Sequence, residues 1–331
     1  MDVTYFFRNK KSGYSIEKAL MPLVKYCLND KNINIKIYHL PYYKADPLSI
    51  IKNLIYVRKH RNKNGINHVT GGAHYIELAL TCTKSILTIH DLVLLNANVP
   101  QIKKFIFKLL WFTLPCKLAN KVVCISDTTQ KALFSKTNVD KSKTLTIHNP
   151  LPTSYYYREH IFNCKKPRIL HIGTGWNKNL LRVIKALKNI DCQLIIIGDI
   201  QEDILNSLRT EKIDYIQKSN ISDKEILNEY INCDIVSFPS IFEGFGMPII
   251  EGQAIGRAVL TSNINPMVEV SGQAACLVNP FSIKSIRDGF LKIINDHNFR
   301  TGIITNGLKN AYKYKVDIIA KEYIKIYKEL S

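Results

Sequence analysis

The sequence predicts an α/β protein made of two doubly wound parallel sheets. Short β-branched runs alternate with segments of helical periodicity along the chain, which is typical of parallel sheets covered by helices. The alternation stops once, at residues 151–167, which show no period and contain two prolines. Because a chain of 331 residues suits two domains of ordinary size, we interpret residues 151–167 as the linker between them.

The first domain, residues 1–150, begins with a strand and ends with the run TLTIHNP (144–150). Ser15 and Ser126 are good helix N-caps, and Glu17 follows Ser15 within one turn, so we expect a helix to begin at each serine. Further helices are predicted at 49–61 and 101–121 from their apolar period. The predicted strands are VTYFF (3–7), INIKIYHL (33–40), HVTGG (68–72), SILTIHD (85–91) and KVVCIS (121–126).

The second domain, residues 168–315, repeats this alternation. Three helices are expected after the last strand, and the C-terminal one, about residues 316–331, has the option of packing back on the first domain. The strands are RILHIGT (168–174), QLIIIGD (193–199), YIQK (215–218), DIVSFPS (234–240), AVLTS (258–262) and ACLVNP (275–280), and the helices between them are NLLRVIKALKNI (179–190), EDILNSLRTE (202–211) and KEILNEYIN (224–232). Ligands of such sheets bind at the carboxyl ends of the strands, so we expect two such units to face a central cleft.

The charge of the chain favours anionic partners. There are 46 Lys and Arg against 27 Asp and Glu, a formal net charge of +19. No acid occurs between Asp46 and Glu77 or between Asp91 and Asp127, and both intervals carry several basic residues. Nucleic acid, phosphate-bearing substrates and anionic lipid are the partner classes that such a balance favours.

The cysteines and the chain start indicate a cytoplasmic protein. Eight cysteines are scattered without a CxxC pair or a zinc-like spacing, which indicates buried free thiols in a reducing compartment. There is no apolar run long enough to predict a membrane-spanning helix, and residues 1–13 read as a first strand and turn rather than a signal peptide. Peripheral docking on the inner face of a membrane stays open.

The run FPSIFEGFGMPIIEGQAIG (238–256) sets two carboxylates in an apolar stretch. Glu243 lies in the loop after a buried strand, and the bend Gly244-Phe245-Gly246 follows it. Pro248 suits the first turn of a helix, which places Glu251 about one turn inside it. The helix start favours an anion, whereas the carboxylates suit hydroxyl donors. A nucleotide sugar is a ligand that combines phosphate groups with many hydroxyls, so it would suit both features. The alternative interpretation is that Glu243 caps the helix and Glu251 is merely solvated.

Three further turns carry candidate site residues. In HIGTGWNKNLLRVIKAL (171–187), Gly173-Thr174-Gly175 ends a strand and Lys178 follows, able to neutralise a diphosphate, although the spacing is not that of a Walker loop. His90 and Asp91 end the strand SILTIHD, and Gly13 lies in the first strand-to-helix turn. The alternatives are an exposed helix-start lysine at 178 and a structural histidine bonded to Asp91. Gly71-Gly72 forms another such turn, to which we assign loop geometry alone.

The run FPSIFEGFGMPIIEGQAIGRAVLTSNINPMVEVSGQAACLVNP (238–280) resembles the retaining glycosyltransferases of family 4, the glycosyl transferases group 1 type. IGTGWNKNLLRVIKAL is similar to the phosphate-binding lysine segment of that family. The first domain matches more loosely, through RNKKSGYSIEK, TIHDL, CISDTTQKAL and TIHNP. The resemblance implies the GT-B fold, in which two Rossmann-like domains face a central cleft.

The resemblance also implies roles for the candidate residues. Glu243 and His90 would contact the donor sugar, Glu251 the ribose hydroxyls, and Lys178 the diphosphate. The further donor-binding residues it implies are Gly13, Gly173, Thr174, Gly244, Phe245 and Gly246; among all these, Glu243, His90 and Lys178 are the candidate catalytic residues. The family often places an Arg shortly before the lysine and a second glycine in the N-terminal loop. Here Gly175, Trp176 and Asn177 occupy the first turn, so one phosphate charge is missing or supplied elsewhere.

The implied reaction is transfer of a sugar from a UDP- or GDP-sugar to a glycan or lipid-linked acceptor, with retained anomeric configuration. The expected setting is cell-surface polysaccharide synthesis (O-antigen, capsule or lipopolysaccharide), with no cofactor and no metal. One alternative is a nucleotide-sugar epimerase of the same architecture. Another is a basic nucleic-acid-binding protein, although no helix-turn-helix, zinc-finger or RNA-binding motif is present, so we expect no nucleic acid partner.

The segment QIKKFIFKLLWFTLPCKLANK (101–121) supports a membrane hypothesis. It combines five lysines with Trp111 and several phenylalanines. Basic residues beside an apolar aromatic face are typical of helices that lie on an anionic membrane. A core helix whose lysines extend to solvent explains the same pattern equally well.

Overall fold

The structure, a computed structural model, describes residues 1–13, 15–96 and 100–331. The chain divides into two compact units, one formed by Met1–Pro150 with Val316–Ser331 and the other by Leu151–Lys315. Each unit contains one six-stranded sheet whose strands all pair in parallel. The predicted class, two doubly wound parallel sheets, is confirmed.

The sheet of the first unit has the strand order β2-β1-β3-β4-β5-β6. Its strands are β1 (Asp2–Phe7), β2 (Asn34–His39), β3 (Ile66–Val69), β4 (Lys84–Ile89), β5 (Lys121–Cys124) and β6 (Thr144–Thr146). Its helices are α1 (Ser15–Leu28), α2 (Pro47–His60), α3 (Val93–Asn96), α4 (Gln101–Phe107), α5 (Leu114–Leu118), α6 (Asp127–Lys136) and α14 (Val316–Leu330). Short 3₁₀ turns cover Lys10–Ser12, His74–Ala79 and Lys141–Lys143.

Both faces of this sheet are buried, as expected for parallel strands. Tyr5 and Phe7 of β1 point to a core shared with α1 and α14, whereas Phe6 between them points to the opposite core with Trp111. The last helix therefore completes a core of the first unit. Tyr327 of α14 is fully buried there.

The sheet of the second unit has the order β12-β11-β10-β7-β8-β9. Its strands are β7 (Arg168–Ile172), β8 (Gln193–Ile197), β9 (Asp214–Lys218), β10 (Ile235–Phe238), β11 (Ala258–Ser262) and β12 (Cys276–Val278). Its helices are α7 (Leu180–Ala186), α8 (Glu202–Thr210), α9 (Asp223–Asn232), α10 (Met247–Ile255), α11 (Met267–Ser271), α12 (Ile283–Asn295) and α13 (His297–Tyr312), with a 3₁₀ turn at Trp176–Lys178. This is the doubly wound order in which the chain reverses its direction of travel between the first and fourth strands, here β7 and β10.

Residues 101–121 do not form the single helix that the apolar period predicts. α4 ends at Phe107, a π-helical turn covers Lys108–Thr113, and α5 ends at Leu118 before β5 begins. Trp111, Phe112 and Cys116 are buried, but none of the seven residues of α4, all of them described, is buried. The second half of the segment is therefore core, and its first half lies on the surface.

Helix starts follow the predicted caps in part. Ser126 accepts a hydrogen bond from the backbone N–H of Thr129 and caps α6, as predicted. α1 instead includes Ser15 as its first residue, and residue 14 before it lies outside the described residues.

Residues 151–167, interpreted as a linker, lie within the second unit and bond to it. The carboxylate of Asp234, which is 3% exposed, accepts hydrogen bonds from the Asn163 N–H and from the Arg168 N–H, at 2.8 and 2.7 Å. His160 Nε2 lies 2.8 Å from the same carboxylate. A buried carboxylate just before β10 therefore holds this irregular segment to the sheet of the second unit.

Within the described part of the chain, no helix is both long enough and apolar enough to cross a membrane.

Candidate functional site

Two loops of the second unit meet at the point where its sheet reverses direction. Residues 173–179 follow β7, and residues 239–246 follow the neighbouring strand β10. The Ile241 N–H donates to the carbonyl of Asn177 at 2.9 Å, which joins the loops. In open α/β sheets this position, outside the carboxyl ends of the strands, is where ligands bind.

Lys178 and Glu243 form an ion pair across these loops. Lys178 Nζ donates to Glu243 Oε1 at 2.6 Å, and the side chains are 23% and 14% exposed. Lys178 Nζ also lies 4.8 Å from the centroid of the Phe238 ring, so the cation is held on several sides. The family resemblance implies separate roles for the two residues, Lys178 at the diphosphate and Glu243 at the donor sugar; the structure brings them into direct contact.

Gly173 makes room for the lysine side chain. Its φ is +88°, and a Cβ added there would lie 3.1 Å from both Cγ and Cε of Lys178. The side chain of Lys178 therefore lies over the backbone of the turn where only a glycine leaves space. Thr174, the next candidate, donates through Oγ1 to the carbonyl of Asp199 at 2.5 Å and so links the turn to the end of β8.

Two asparagines that the sequence analysis did not single out hold the lysine turn. Asn177 Nδ2 donates to Glu243 Oε1 at 3.1 Å and to the carbonyl of Phe242 at 3.0 Å. Asn179 is buried in the left-handed conformation, φ 65°, and its amide donates to the carbonyls of Pro239 and Pro280. The sequence signal was present: the two residues flank Lys178 in the run WNKN.

The glycine bend places the start of α10 beside the ion pair. Gly246, with φ 119°, precedes the first helical residue, Met247, and Pro248 lies in the first turn as predicted. The Phe245 side chain is 3% exposed and packs edge-on against Tyr314 at 5.7 Å, which anchors the bend. Positive helix-end potential thus lies next to Glu243 and Lys178.

Glu251, in the middle of α10, has a buried partner that the sequence did not reveal. The hydroxyl of Tyr230 in α9 donates to Glu251 Oε2 at 2.5 Å. Burial raises the pKa of Tyr230 well above its ordinary value, and the charge of Glu251 adds to this, so the phenol stays a donor. Tyr230 therefore orients one oxygen of the Glu251 carboxylate.

In the first unit, His90 directly follows β4. Burial lowers its pKa to about 4, so the ring is neutral at pH 7. Its Nε2 lies 2.9 Å from the carbonyl of Thr70. A carbonyl only accepts, so Nε2 carries the proton and Nδ1 keeps a lone pair able to accept from a hydroxyl. The bond is to the backbone and not, as one alternative held, to Asp91.

Gly71 has a clearer task than loop geometry. A Cβ at this position, where φ is +113°, would lie 2.6 Å from His90 Cδ2. The turn after β3 therefore passes directly against the imidazole and fixes its place at the carboxyl edge of the sheet.

Gly13 lies at the end of the turn Lys10–Ser12, at the same edge of the first sheet. Its carbonyl accepts a hydrogen bond from Arg8 Nη2 at 3.1 Å, and the same nitrogen lies 3.2 Å from Ser15 Oγ. Burial lowers the pKa of Arg8, while the charge of Asp91 raises it. Arg8, directly after β1, is a cation that the sequence analysis overlooked.

The candidate residues thus fall into two groups, one in each unit. Lys178, Glu243, Gly173, Thr174, the bend 244–246 and Glu251 lie at or beside the carboxyl ends of β7, β8 and β10. His90 and Gly13 lie at the carboxyl edge of the first sheet. In the described residues there is no cluster of three or more His, Cys, Asp or Glu side chains that could hold a metal ion.

Comparison with known proteins defines the class. Residues 157–310 match the model of the family described as glycosyl transferases group 1. The chain is 27% identical to the O-antigen chain mannosyltransferase RfbU of Salmonella typhimurium over 60% of this chain and 58% of that protein. It is 19% identical to the N,N'-diacetylbacillosaminyl-diphospho-undecaprenol alpha-1,3-N-acetylgalactosaminyltransferase of Campylobacter jejuni over 91% of this chain and 87% of that protein.

A solved structure supports the architecture. Anabaena Alr3699/HepE, in complex with UDP and glucose, is similar along 100% of both chains with a TM-score of 0.77 at 14% identity. The fold is therefore the GT-B fold, and together with the family match and the relatives it makes this chain a glycosyltransferase. Neither the epimerase nor the nucleic-acid alternative finds support among these matches.

Proposed function

We propose that this glycosyltransferase moves a sugar from a nucleotide-sugar donor, a UDP- or GDP-sugar, to a glycan or lipid-linked acceptor with retained anomeric configuration. The observation that carries the proposal is the Lys178–Glu243 pair at the reversal point of the second sheet, beside the start of α10. An anion and a polyhydroxyl group are the two ligands that this pair can hold at once. A nucleotide sugar joins both in one molecule.

In the proposed complex Lys178 moves from Glu243 to the diphosphate. The carboxylate then accepts from hydroxyls of the donor sugar, and Glu251, oriented by Tyr230, accepts from the ribose hydroxyls. The bend 244–246 and the start of α10 face the negative charge that develops on the leaving group. The ion pair keeps both groups in place and neutralises each until the donor exchanges their partners.

The proposed step breaks the bond between the anomeric carbon and the diphosphate oxygen and forms a bond from that carbon to the acceptor oxygen on the same face. The acceptor hydroxyl passes its proton to the departing diphosphate oxygen, so no protein base is required. Lys178 and the helix end supply the stabilising charge, and the proposed route uses no metal ion and no cofactor. His90, neutral and with Nδ1 able to accept, is proposed to contact a hydroxyl of the donor sugar.

The relatives support the acceptor class. One is named as an O-antigen chain transferase, and the other is named for a diphospho-undecaprenol acceptor. We therefore propose a setting in cell-surface polysaccharide synthesis. Peripheral contact between the basic first unit and an anionic membrane surface belongs to this proposal, because a lipid-linked acceptor lies at a bilayer.

A thermal-shift panel of UDP- and GDP-sugars tests the donor assignment, since a ligand that binds the native state raises the melting temperature by mass action. We expect one nucleotide series to raise it for the wild type and Lys178→Ala to lose most of that rise. No shift with any nucleotide sugar at millimolar concentration would contradict the proposal.

Incubation with donor alone separates transfer from epimerisation. A transferase leaves the sugar configuration of the donor unchanged and consumes it quickly only when an acceptor is added. Interconversion of the donor sugar without acceptor, followed by NMR, would favour the epimerase instead.

A further inference from the structure

Trp176 exposes most of its indole ring beside the Lys178–Glu243 pair. The chain has two tryptophans; Trp111 is 4% exposed, whereas Trp176 is 75% exposed. Trp176 is the first residue of the 3₁₀ turn that ends at Lys178. Exposed apolar surface is unfavourable in water, and contact with a ligand recovers part of that cost. The ring is therefore a candidate contact for a ligand at this site.

Hydrogen bonds hold the turn that carries this ring. The Lys178 N–H donates to the carbonyl of Gly175 at 2.8 Å, and the carbonyl of Asn177 accepts from the Ile241 N–H at 2.9 Å. Asn177 Nδ2 also donates to Glu243 Oε1 at 3.1 Å. The turn is thus bonded to the loop that follows the neighbouring strand. Because a ring on a fixed turn loses little conformational freedom on binding, it suits a stacking contact.

A second exposed aromatic ring, that of Phe281, belongs to a segment bonded to this turn. Asn179 Nδ2, at the end of the turn, donates to the carbonyl of Pro280 at 2.7 Å, and Phe281 follows Pro280 with 60% of its surface exposed. Arg182 joins the two segments: its Nη1 donates to Asn179 Oδ1 at 2.9 Å, and its guanidinium lies 5.9 Å from the centroid of the Phe281 ring. We call the side chains of Trp176, Phe281 and Arg182 the aromatic platform.

The aromatic platform and Glu251 belong to helices on opposite faces of the second sheet. A Cβ added to Gly252 of α10 would lie 3.2 Å from Val259 Cγ2, and one added to Gly289 of α12 would lie 3.0 Å from Leu260 Cδ1. Val259 and Leu260 are consecutive in β11, so α10 and α12 cover opposite faces. α7 shares a core with α12. The platform, which immediately precedes α7 and α12, is therefore separated from the proposed ribose contact of Glu251.

We propose that the aromatic platform binds a sugar ring of the acceptor glycan, with Trp176 as the main contact. The inference rests on the proposed function for the role of this glycan as acceptor. One face of a pyranose ring carries C–H groups that stack on an aromatic ring, while the hydroxyls at its rim accept from a guanidinium such as that of Arg182. A nucleobase would also stack, but Glu251 directs the nucleoside to the other face of the sheet.

Intrinsic tryptophan fluorescence tests the stacking contact. The probes are the methyl glycosides of glucose, galactose, mannose and N-acetylglucosamine, in both anomeric forms and at millimolar concentration, added with and without UDP or GDP. We expect at least one glycoside to quench or shift the emission of the wild type and to leave that of Trp176→Phe unchanged, because Trp111 is buried in the other unit. No change with any glycoside would overturn the proposal.

Saturation-transfer NMR measures the affinity for the glycoside that gives the largest fluorescence change. Trp176→Ala should weaken binding about tenfold or more, because it removes most of the stacked surface, and Trp176→Phe should weaken it about threefold, because a smaller ring remains. In the wild type, the C–H protons on one face of the sugar should receive most of the saturation.

Tyr312→Ala is the matched control, since Tyr312 is a 58% exposed aromatic residue of the same unit at the end of α13. It should bind the glycoside like the wild type, and a Trp176→Ala protein that does the same would overturn the proposal. Loss of the nucleotide-sugar melting shift in Trp176→Ala would also overturn it and assign the ring to the donor nucleoside. The lack of that shift in the wild type would instead contradict the donor assignment, which the glycoside measurements without nucleotide do not involve.

Discussion

At the scale of single residues, the site depends on one half-buried ion pair held by uncharged neighbours. Glu243 accepts from both Lys178 and Asn177, and each donor comes from the turn after β7. Because these side chains are mostly removed from water, the pair is less screened than a surface salt bridge. The conformation of the turn after β7 therefore depends on the same ion pair that would contact the donor.

Glu243→Ala should reduce the transfer rate by about two to three orders of magnitude, because it removes a preorganised contact to the donor and frees Lys178. The measurement is steady-state sugar transfer with the donor found in the thermal-shift panel. Glu211→Ala is the matched control. The side chain of Glu211 is also 14% exposed, and its carboxylate lies 2.9 Å from Lys188 Nζ. This pair precedes β8 and β9, at the amino ends of the strands, away from Glu243. A Glu243→Ala enzyme with the turnover of the control would refute the assignment.

Gly173→Ala should disturb the lysine directly. The new Cβ would lie 3.1 Å from Lys178 and the backbone would keep a left-handed φ, so we expect a loss of about 1–2 kcal/mol in stability and a weaker nucleotide shift. Gly302→Ala in α13 is the control, because a Cβ there meets nothing within 4 Å. It should be neutral or stabilising. Unchanged nucleotide binding in Gly173→Ala would show that the close approach to Lys178 is unimportant.

At the scale of elements, α14 is bound into the core of the first unit although it comes last in the chain. Its Tyr327 hydroxyl lies 2.7 Å from the Tyr5 hydroxyl and 2.8 Å from His68 Nδ1, and His68 Nε2 lies 2.8 Å from Thr88 Oγ1. This chain of hydrogen bonds links the last helix to three strands of the first sheet. Burial lowers the pKa of His68 to about 3, so the network is uncharged.

Tyr327→Phe should lower the stability of the first unit by about 1–3 kcal/mol, because buried partners of the hydroxyl lose a hydrogen bond without regaining water. Thermal unfolding followed by near-UV circular dichroism measures it. Tyr312→Phe, at a position 58% exposed at the end of α13, is the control and should change little. Equal melting temperatures for the two variants would contradict the role given to the network.

The elements of the sheets were largely predictable, and the surface segments were not. Period, β-branched runs and the placement of glycine and proline predicted β7 to β12 and the helices α7 to α10, because buried parallel strands and helix ends carry strong local patterns. The single helix predicted for residues 101–121 was wrong, since the apolar residues of this run belong to a core in its second half and to the surface in its first half. Short elements such as the turn His74–Ala79 and α11 carry too few residues for a period.

At the scale of the whole molecule, buried titratable groups predict how stability depends on pH. Burial lowers the pKa of His68 and His171 to about 3 and that of His74 and His90 to about 4. These histidines titrate near 6.5 when unfolded, so below about pH 6.5 the unfolded state binds more protons and stability falls on acidification. Burial raises the pKa of Glu77 to about 8, so stability also falls as pH rises from about 4.5 to 8.

We therefore expect the melting temperature to be highest at about pH 7, where the protons still bound by the four unfolded histidines equal the one lost by unfolded Glu77, with the steeper loss on the acid side, where four histidines outweigh one carboxyl. Melting curves between about pH 4.5 and 8.5 provide the measurement. Glu77→Gln should flatten the decline above the maximum and steepen the loss on the acid side, because Glu77 opposes the histidines between about pH 4.5 and 6.5. A melting temperature that rises on going from pH 6.5 to 5 would contradict this account.

The sequence by itself determined the two-sheet architecture and the positions of Lys178, Glu243 and Glu251 beside strand and helix ends, because these depend on local period and on glycine and proline placement. Only the tertiary structure decided which groups touch. The contact of Lys178 with Glu243 joins residues 65 positions apart, and the Tyr230–Glu251 bond joins two helices. The position of Arg8 beside Gly13 and the exposure of α4 also depend on how segments pack. Such packing is set by the complementary burial of distant surfaces, which no local pattern encodes.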